Sequence, residues 1–329
     1  MNYCRITYLP CGNATYSPMG LALLSKSLKN LNDLPFSADE QRTEAVSRAE
    51  KMSVQGVQPK LSALLNVRQE CFDIMDSRGT YILKPQNIDF PQLPENESVT
   101  MCMASKVGIE VPVTGLVGSK DGSLTYFIRR FDRIGKGQKL AIEDFAQLLG
   151  RDRMTKYDAS MEKLVDVIET FCTFPALEKM KLFRLVLFNF LVGNEDAHLK
   201  NFTLITRNNK IELSPAYDLL NSTIVLRGAN IEELALTLAG KKRKINRELL
   251  VDYYGKERIK LSEKIIQQVL VELHSAIPEW FHLIHVSFLS DDLKNRYKKL
   301  LLERMNVLGF SIDELRENDD SLLFPFIDY

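Results

Sequence analysis

Asp196 and Asn201 stand five residues apart in FNFLVGNEDAHLKNFTL, and Asp218 follows in SPAYDLL. Transfer of a phosphoryl group from ATP asks a protein for a carboxylate near the attacking hydroxyl. It also needs oxygen ligands that hold Mg²⁺ against the phosphates. Protein kinases set a catalytic-loop aspartate and asparagine at this spacing, with a metal-binding aspartate further on. On that reading Asp196 is the base, and Asn201 and Asp218 are the metal ligands. Read alone, the spacing occurs by chance in most chains of this size, and Asp218 serves equally well as a helix cap. His198 reads either as a phosphate neighbour or as a satisfied loop histidine. Lys200 reads either as a phosphate-neutralising cation or as a solvated side chain.

A second pair sits upstream. Lys84 ends the apolar run YILK, and Glu97 follows thirteen residues later near the start of an expected helix. A strand lysine held by a helix glutamate is how kinases present an ammonium to the α- and β-phosphates. The plain alternative is a solvated strand end and a carboxylate that complements a helix dipole. In KMSVQGVQPKLSALL, Gly56 is the one flexible position. Neither a Walker A pattern nor a protein-kinase glycine-rich loop is met. A loop there can still offer backbone N–H groups to phosphate, with Gly56 and Gln58 as the candidates.

These residues need elements to carry them. CRITYL reads as a short strand, Leu21 to Leu31 as a helix, and SADEQRTEAVSRAEK as a polar stretch. KLSALLNV and TYILKPQ read as an antiparallel pair separated by the turn DSRG, and TYFIRRFDR as a further strand. ENESVTMCMASKVGI reads as a helix capped by Asn96, with a Val99, Met103, Val107 stripe. From about 141 the pattern is helical, interrupted by FTLIT and KIELS, and 258 to 315 reads as three or more amphipathic helices. A strand-rich half followed by a helix-rich half implies an α+β fold in two lobes, with a boundary near 131 to 140. The expected division is an extension over 1–50, an N-lobe over 51–135 and a C-lobe over 136–329.

Taken together and in order, SVQGVQPKLSALL, YILKP, NE, FIRRFDR, EDFAQLLG, FLVGNEDAHLKNF and SPAYDLL resemble the HipA kinases over roughly residues 50 to 250. The resemblance implies a protein-kinase-like fold binding ATP and Mg²⁺ between lobes, with Asp196 as base, Asn201 and Asp218 as Mg²⁺ ligands and Lys84 on phosphate. It places Arg129, Arg130 and Phe131 on the adenine-cradling hinge strand, where the family often has an acidic residue at the position of Arg129. It makes Ser53 an autophosphorylated serine and leaves Gln55 where some relatives carry a second. Fifty-two residues precede Ser53, fewer than in full HipA toxins, so the chain resembles the short HipT branch. There a small HipS-like antitoxin and a DNA-binding HipB-like protein complete a tripartite toxin–antitoxin system. The implied substrate is an aminoacyl-tRNA synthetase, with the tryptophanyl enzyme associated with that branch.

Bulk properties bound the reading. The 329 residues carry 43 basic and 43 acidic side chains, so no global field draws the chain to nucleic acid or membrane. No run reaches the roughly 20 apolar residues of a membrane span, and the N-terminus lacks a signal-peptide pattern. Five scattered cysteines suit a reducing cytoplasm and no zinc site. The basic run KKRK at 241–244 reads as a solvated loop or as a contact for an acidic or tRNA-bound substrate. Two rivals remain. One is an aminoglycoside-type small-molecule kinase, which has histidine where Asn194 stands; the other is a pseudokinase binding module, at odds with intact Lys84, Asp196, Asn201 and Asp218.

Overall fold

Ser17 and Pro18 start the first helix. The Gly20 N–H donates to the Ser17 hydroxyl at 3.1 Å, and a proline at the first helical positions gives up an N–H that would lack a partner anyway. Helix α1 (Pro18–Leu24) ends at Ser25 in an extended conformation. It is shorter than expected, and Leu28 and Leu31 are buried from the turns that follow. The polar stretch is a second helix, α2 (Ala38–Arg48), with Asp39 and Glu40 in its first turn and Arg48 in its last, as the helix dipole favours. CRITYL forms no strand. It buries Cys4, Ile6 and Tyr8 in alternation, and the isolated bridge from Tyr3 to Pro10 flanks it. The structure, a computed structural model, describes residues 1–48, 58–135, 138–226 and 232–311, so Ser53, Gln55 and Gly56 lie outside the described residues.

Strands β1 (Leu61–Asn66), β2 (Cys71–Ile74) and β3 (Tyr81–Lys84), helix α3 (Leu93–Lys106), and strands β4 (Thr114–Gly118) and β5 (Leu124–Arg129) follow. The strands form one antiparallel sheet in the order β2-β1-β3-β5-β4. The expected β1–β3 pairing is present, from Leu61 opposite Leu83 to Ala63 opposite Tyr81. Strand β2, which was not expected, forms a hairpin with β1. Side-chain alternation places Leu61, Ala63, Tyr81, Leu83 and Phe127 in a core with Cys4, Ile6, Tyr16, Leu21 and Leu24. Lys84 and its cross-strand neighbour Tyr126 take the other face. Asn96 is not a cap: α3 begins at Leu93, and Asn96 is fully buried inside it. Residues 93 to 100 are all buried, so no polar face marks where the helix starts. The Val99, Met103, Val107 stripe is buried as expected. Two short strands, β6 (Arg133–Ile134) and β7 (Gln138–Lys139), pair antiparallel next.

Helices dominate thereafter. Strand β8 (Ile142–Asp144) leads into α4 (Phe145–Leu148), α5 (Met161–Phe171) and the buried α6 (Pro175–Val192). FTLIT and KIELS form the expected hairpin, β9 (Thr203–Arg207) and β10 (Lys210–Leu213), and β8 adds an unexpected third strand. Helix α7 (Ser222–Val225), a π-helix over Glu248–Arg258, α8 (Glu263–Val286) and α9 (Asp291–Leu308) complete the described residues. Three or more helices were expected from 258 onward; two are described, because α8 continues through Pro278. The Trp280 ring is fully buried, packs edge-on to Phe188 at 5.4 Å, and donates its N–H to the Met103 carbonyl at 3.0 Å.

Contacts divide the chain into two units. The first is Met1–Cys102 with Pro112–Lys139 and Val286–Leu289; the second is Met103–Val111 with Leu140–His285 and the residues from Ser290. Residues 1–48 share the core of the strand-rich unit. Among the described residues no helix is long and apolar enough to cross a membrane.

Candidate active site

Helix α6 buries every residue from Leu182 to Val192, and it stops because Gly193 turns left-handed at φ 70°. The Gly193 N–H then reaches back to the Asn189 and Phe190 carbonyls, which satisfies the helix end. A Cβ at Gly193 would sit 2.3 Å from Leu300 Cδ2 and 2.9 Å from Thr223 Oγ1, so only glycine fits. The chain emerges as a loop holding Asp196, then a single 3₁₀ turn, Leu199–Asn201, before β9. The His198 N–H donates to the Asp196 carbonyl at 2.8 Å, and the Asn201 N–H to the His198 carbonyl at 2.9 Å. These local bonds fix the turn between Asp196 and Asn201.

Asn194 ties this loop to Asp218. It is 2% exposed. Its amide donates to Asn189 Oδ1 at 3.1 Å and to the Asp218 carbonyl at 3.5 Å, while its Oδ1 accepts from the Asp196 N–H at 3.2 Å. Asp218 lies beyond β10 in the left-handed region, φ 54°, a conformation that Asp and Asn tolerate better than most side chains. Tyr217, beside it, donates its hydroxyl to the Lys200 carbonyl at 2.7 Å and shares a 2.6 Å bond with Thr203. From the other side, the Glu195 N–H donates to Ser222 Oγ at 2.7 Å and the Thr223 hydroxyl donates to the Glu195 carboxylate, so α7 buttresses the loop.

The charges around Asp196 differ from the expected set. His198 is buried, its Nδ1 has no partner among the described residues, and burial pushes its pKa down despite the charge of Asp196. Burial therefore favours the neutral imidazole, which departs from the expected phosphate-neighbouring role. Lys200 lies 3.9 Å from Asp144, which caps α4. Sequence reasoning missed Lys156 and Tyr157, which come from the segment before α5. Burial lowers the Lys156 pKa, opposed by Asp196 and Asp218, which places its ammonium within the field of both acids. The Tyr157 hydroxyl donates to Asp196 Oδ1. No spacing rule flags a residue 39 positions from its partner.

Oxygens of the kind that Mg²⁺ takes are available on Asn201 and Asp218. Asn201 Oδ1 is buried and accepts no hydrogen bond among the described residues, so its lone pairs are unused. No cluster of three or more His, Cys, Asp or Glu able to hold a metal occurs among those residues. A pair such as Asn201 and Asp218 fits Mg²⁺, which keeps waters and takes substrate phosphates to complete its shell.

In the strand-rich unit, Lys84 Nζ donates to both Glu97 oxygens, at 2.6 and 2.8 Å, with the side chains 4% and 3% exposed. Lys84 Nζ also lies 5.5 Å from the Tyr126 ring centroid. Glu97 is thus inside α3 and bonded to Lys84, not a dipole ornament. Arg129 has a different task from the expected one: its guanidinium donates to the Leu23 and Leu24 carbonyls at 2.8 Å, capping α1, and to the Tyr81 hydroxyl at 2.7 and 3.0 Å. Arg130 instead forks onto Asp132 at 2.9 and 2.8 Å. Phe131 is half-buried in the turn after β5, and Gln58 keeps a buried Nε2 that donates to nothing described.

The fold is kinase-like. It superposes on Shewanella oneidensis HipA, solved with HipB and operator DNA, with TM-score 0.66 and 24% identity over 88% of this chain and 75% of that one. It superposes on the Helicobacter pylori proinflammatory kinase CtkA with TM-score 0.53 and 17% identity, over 79% and 93%. Residues 52–281 match the HipA-like C-terminal domain, and the chain belongs to that family. A candidate kinase of Haemophilus influenzae is 30% identical over 301 residues, 85% of this chain and 87% of that protein. The serine/threonine-protein kinase toxin HipA of Shewanella oneidensis is 30% identical over 191 residues, 52% of this chain and 43% of the toxin.

Proposed function

We propose that the chain is an ATP-dependent serine/threonine protein kinase that acts as a toxin. The observation that carries this is Asn194, whose one amide holds both the Asp196 N–H and the Asp218 carbonyl. A structural loop has no need to lock two carboxylate-bearing segments together; a phosphotransfer site does. Asp196 accepts the proton of the substrate hydroxyl, Lys84 takes the ATP phosphates with Glu97 orienting it, and Asn201 and Asp218 hold Mg²⁺. When bound, Mg²⁺ neutralises charge on the phosphates. The hinge after β5 meets adenine through backbone groups, since the Arg129 side chain is engaged elsewhere.

Further parts of the reading rest on the motif resemblance: autophosphorylation at Ser53, the short HipT-like branch, a HipS-like antitoxin and an aminoacyl-tRNA synthetase as substrate; a cytoplasmic location of the chain rests on its scattered free cysteines. A HipB-like, DNA-binding partner has the additional support that the Shewanella HipA neighbour is in complex with HipB and operator DNA. Incubation with γ-labelled ATP and a cell lysate tests the assignment. A labelled protein band is expected. Label in a small molecule instead points to the aminoglycoside-type chemistry, and no transfer points to a binding module.

A further inference from the structure

Asp196 already carries a hydroxyl. The Tyr157 O–H donates to its Oδ1, which is an oxygen that an incoming substrate hydroxyl needs. The donor belongs to the exposed segment between α4 and α5, and its ring is 37% exposed, so core packing does not explain its position. Three contacts hold the ring there. His198 packs edge-on at 5.1 Å, the Lys156 ammonium lies 4.9 Å from the ring centroid, and Lys242 lies 5.8 Å from it. The segment is also anchored by its backbone: the Leu199 N–H donates to the Lys156 carbonyl at 3.2 Å, and Ser160 bridges to Thr237. Burial, then the hydrogen bond to Asp196 and the charge of Asp196, push the phenol pKa up, so Tyr157 stays protonated and remains a donor.

Every kinase faces one competing acceptor that is always present, water. With a free base, a water molecule loses its proton to the carboxylate, its oxygen forms a bond to the γ-phosphorus, and the bond to ADP breaks. The products are phosphate and ADP, with nothing transferred to protein. We propose that Tyr157 guards the base of this site, occupying Asp196 until a protein acceptor displaces it and so suppressing wasteful ATP hydrolysis. Water brings no binding energy with which to expel a ring held by His198 and two ammonium groups. A protein substrate does, through the residues that flank its serine or threonine. The displacement exchanges one hydroxyl donor for another on the same carboxylate.

The inference rests on the kinase reading and deepens it, so its test measures two products at once. Purified full chain is given Mg²⁺-ATP with and without a lysate, and free phosphate and protein-bound label are counted, with Asp196→Asn as the background. Tyr157→Phe keeps the ring and removes the donor. The ratio of phosphate released to phosphate transferred should rise about tenfold, because a hydrogen bond to a charged group no longer competes with water. Lys242→Met, which loosens the ring without touching the hydroxyl, should raise the ratio by less. Should Tyr157→Phe depress hydrolysis and transfer by the same factor, Tyr157 is only a strut for Asp196 and the guard is wrong. Phosphate mapped onto Tyr157 in the wild-type protein would likewise overturn it, since the hydroxyl would then be an acceptor. A wild-type protein that neither hydrolyses ATP nor labels any protein removes the kinase reading, and the guard with it.

Discussion

Asp196 lies five residues before Asn201 and Asp218 lies 17 after it, and their surroundings differ. Asp196 faces a hydroxyl, that of Tyr157, and has its backbone held by Asn194 and His198. Asp218 follows a hairpin and bends left-handed, a conformation that carries mild strain. Asp196→Asn should cut phosphate transfer by about 10²- to 10⁴-fold, the usual worth of a positioned base, while nucleotide still binds. Asp218→Asn should weaken Mg²⁺-ATP binding, and because asparagine tolerates φ 54° the fold should persist. Calorimetric titration with Mg²⁺-ATP beside a transfer assay checks both. Equal loss of binding in the two variants would contradict the division of roles.

Helix α3 carries two buried glutamates with opposite consequences. Glu97 is matched by Lys84 across two short hydrogen bonds, with both side chains almost fully enclosed. Removing one partner strands a buried charge, so Glu97→Gln should cost about 3 to 5 kcal/mol in urea unfolding. The double change of Lys84→Met with Glu97→Leu should recover most of that, because an apolar pair has no charge to desolvate. Activity should be absent in both. A double variant as unstable as the single one would mean that the pair stabilises through something other than charge balance.

Glu95 is met by no cation among its hydrogen-bond partners but by Gln86, whose amide donates to both carboxylate oxygens at 2.9 Å. Burial pushes its pKa up to about 6, outweighing those bonds. The folded state therefore holds a proton that the unfolded chain releases near pH 4.5. The stabilising contribution is full below pH 4.5 and is lost as pH rises through about 6. Near pH 7 the cost of the charge is about 2 kcal/mol. Glu95→Gln should raise stability at pH 7 and flatten its fall between pH 4.5 and 6, as read by thermal melting across that range. Unchanged pH dependence would show that Glu95 ionises freely in the folded state.

For the chain as a whole, the balance of 43 basic and 43 acidic residues gives no net attraction to DNA. Under the proposed reading, operator binding belongs to a HipB-like partner. The chain expressed alone should arrest growth, and co-expression with a small HipS-like protein should restore it. The purified chain alone should not retard operator DNA at physiological salt. Retardation by the chain alone, without harm to cells, would refute this division of labour while leaving the transfer chemistry open to its own test.

The elements that carry Asp196, Asn201 and Asp218 were legible in the amino-acid sequence because their relationship is local. A helix end, one 3₁₀ turn and one hairpin lie between them, and each is encoded by its own residues. Lys84 and Glu97 were legible for the same reason, a strand and the helix that follows it. The short strands β2 and β8 were not, because four- and three-residue runs carry too little alternation to separate from loops. Asn96 misled because polar residues signal a cap only where a helix has a solvent face, and this stretch of α3 has none. Arg129 as the cap of α1, Lys156 beside the two acids, and Lys242 of the KKRK run over the Tyr157 ring depend on segments tens of residues apart. Tyr157 on Asp196 is of the same kind. The Arg129 cap follows from the core that the first residues share with the sheet, and the contacts of Tyr157 from the anchoring of its segment at Ser160 to Thr237; no spacing along the chain encodes either.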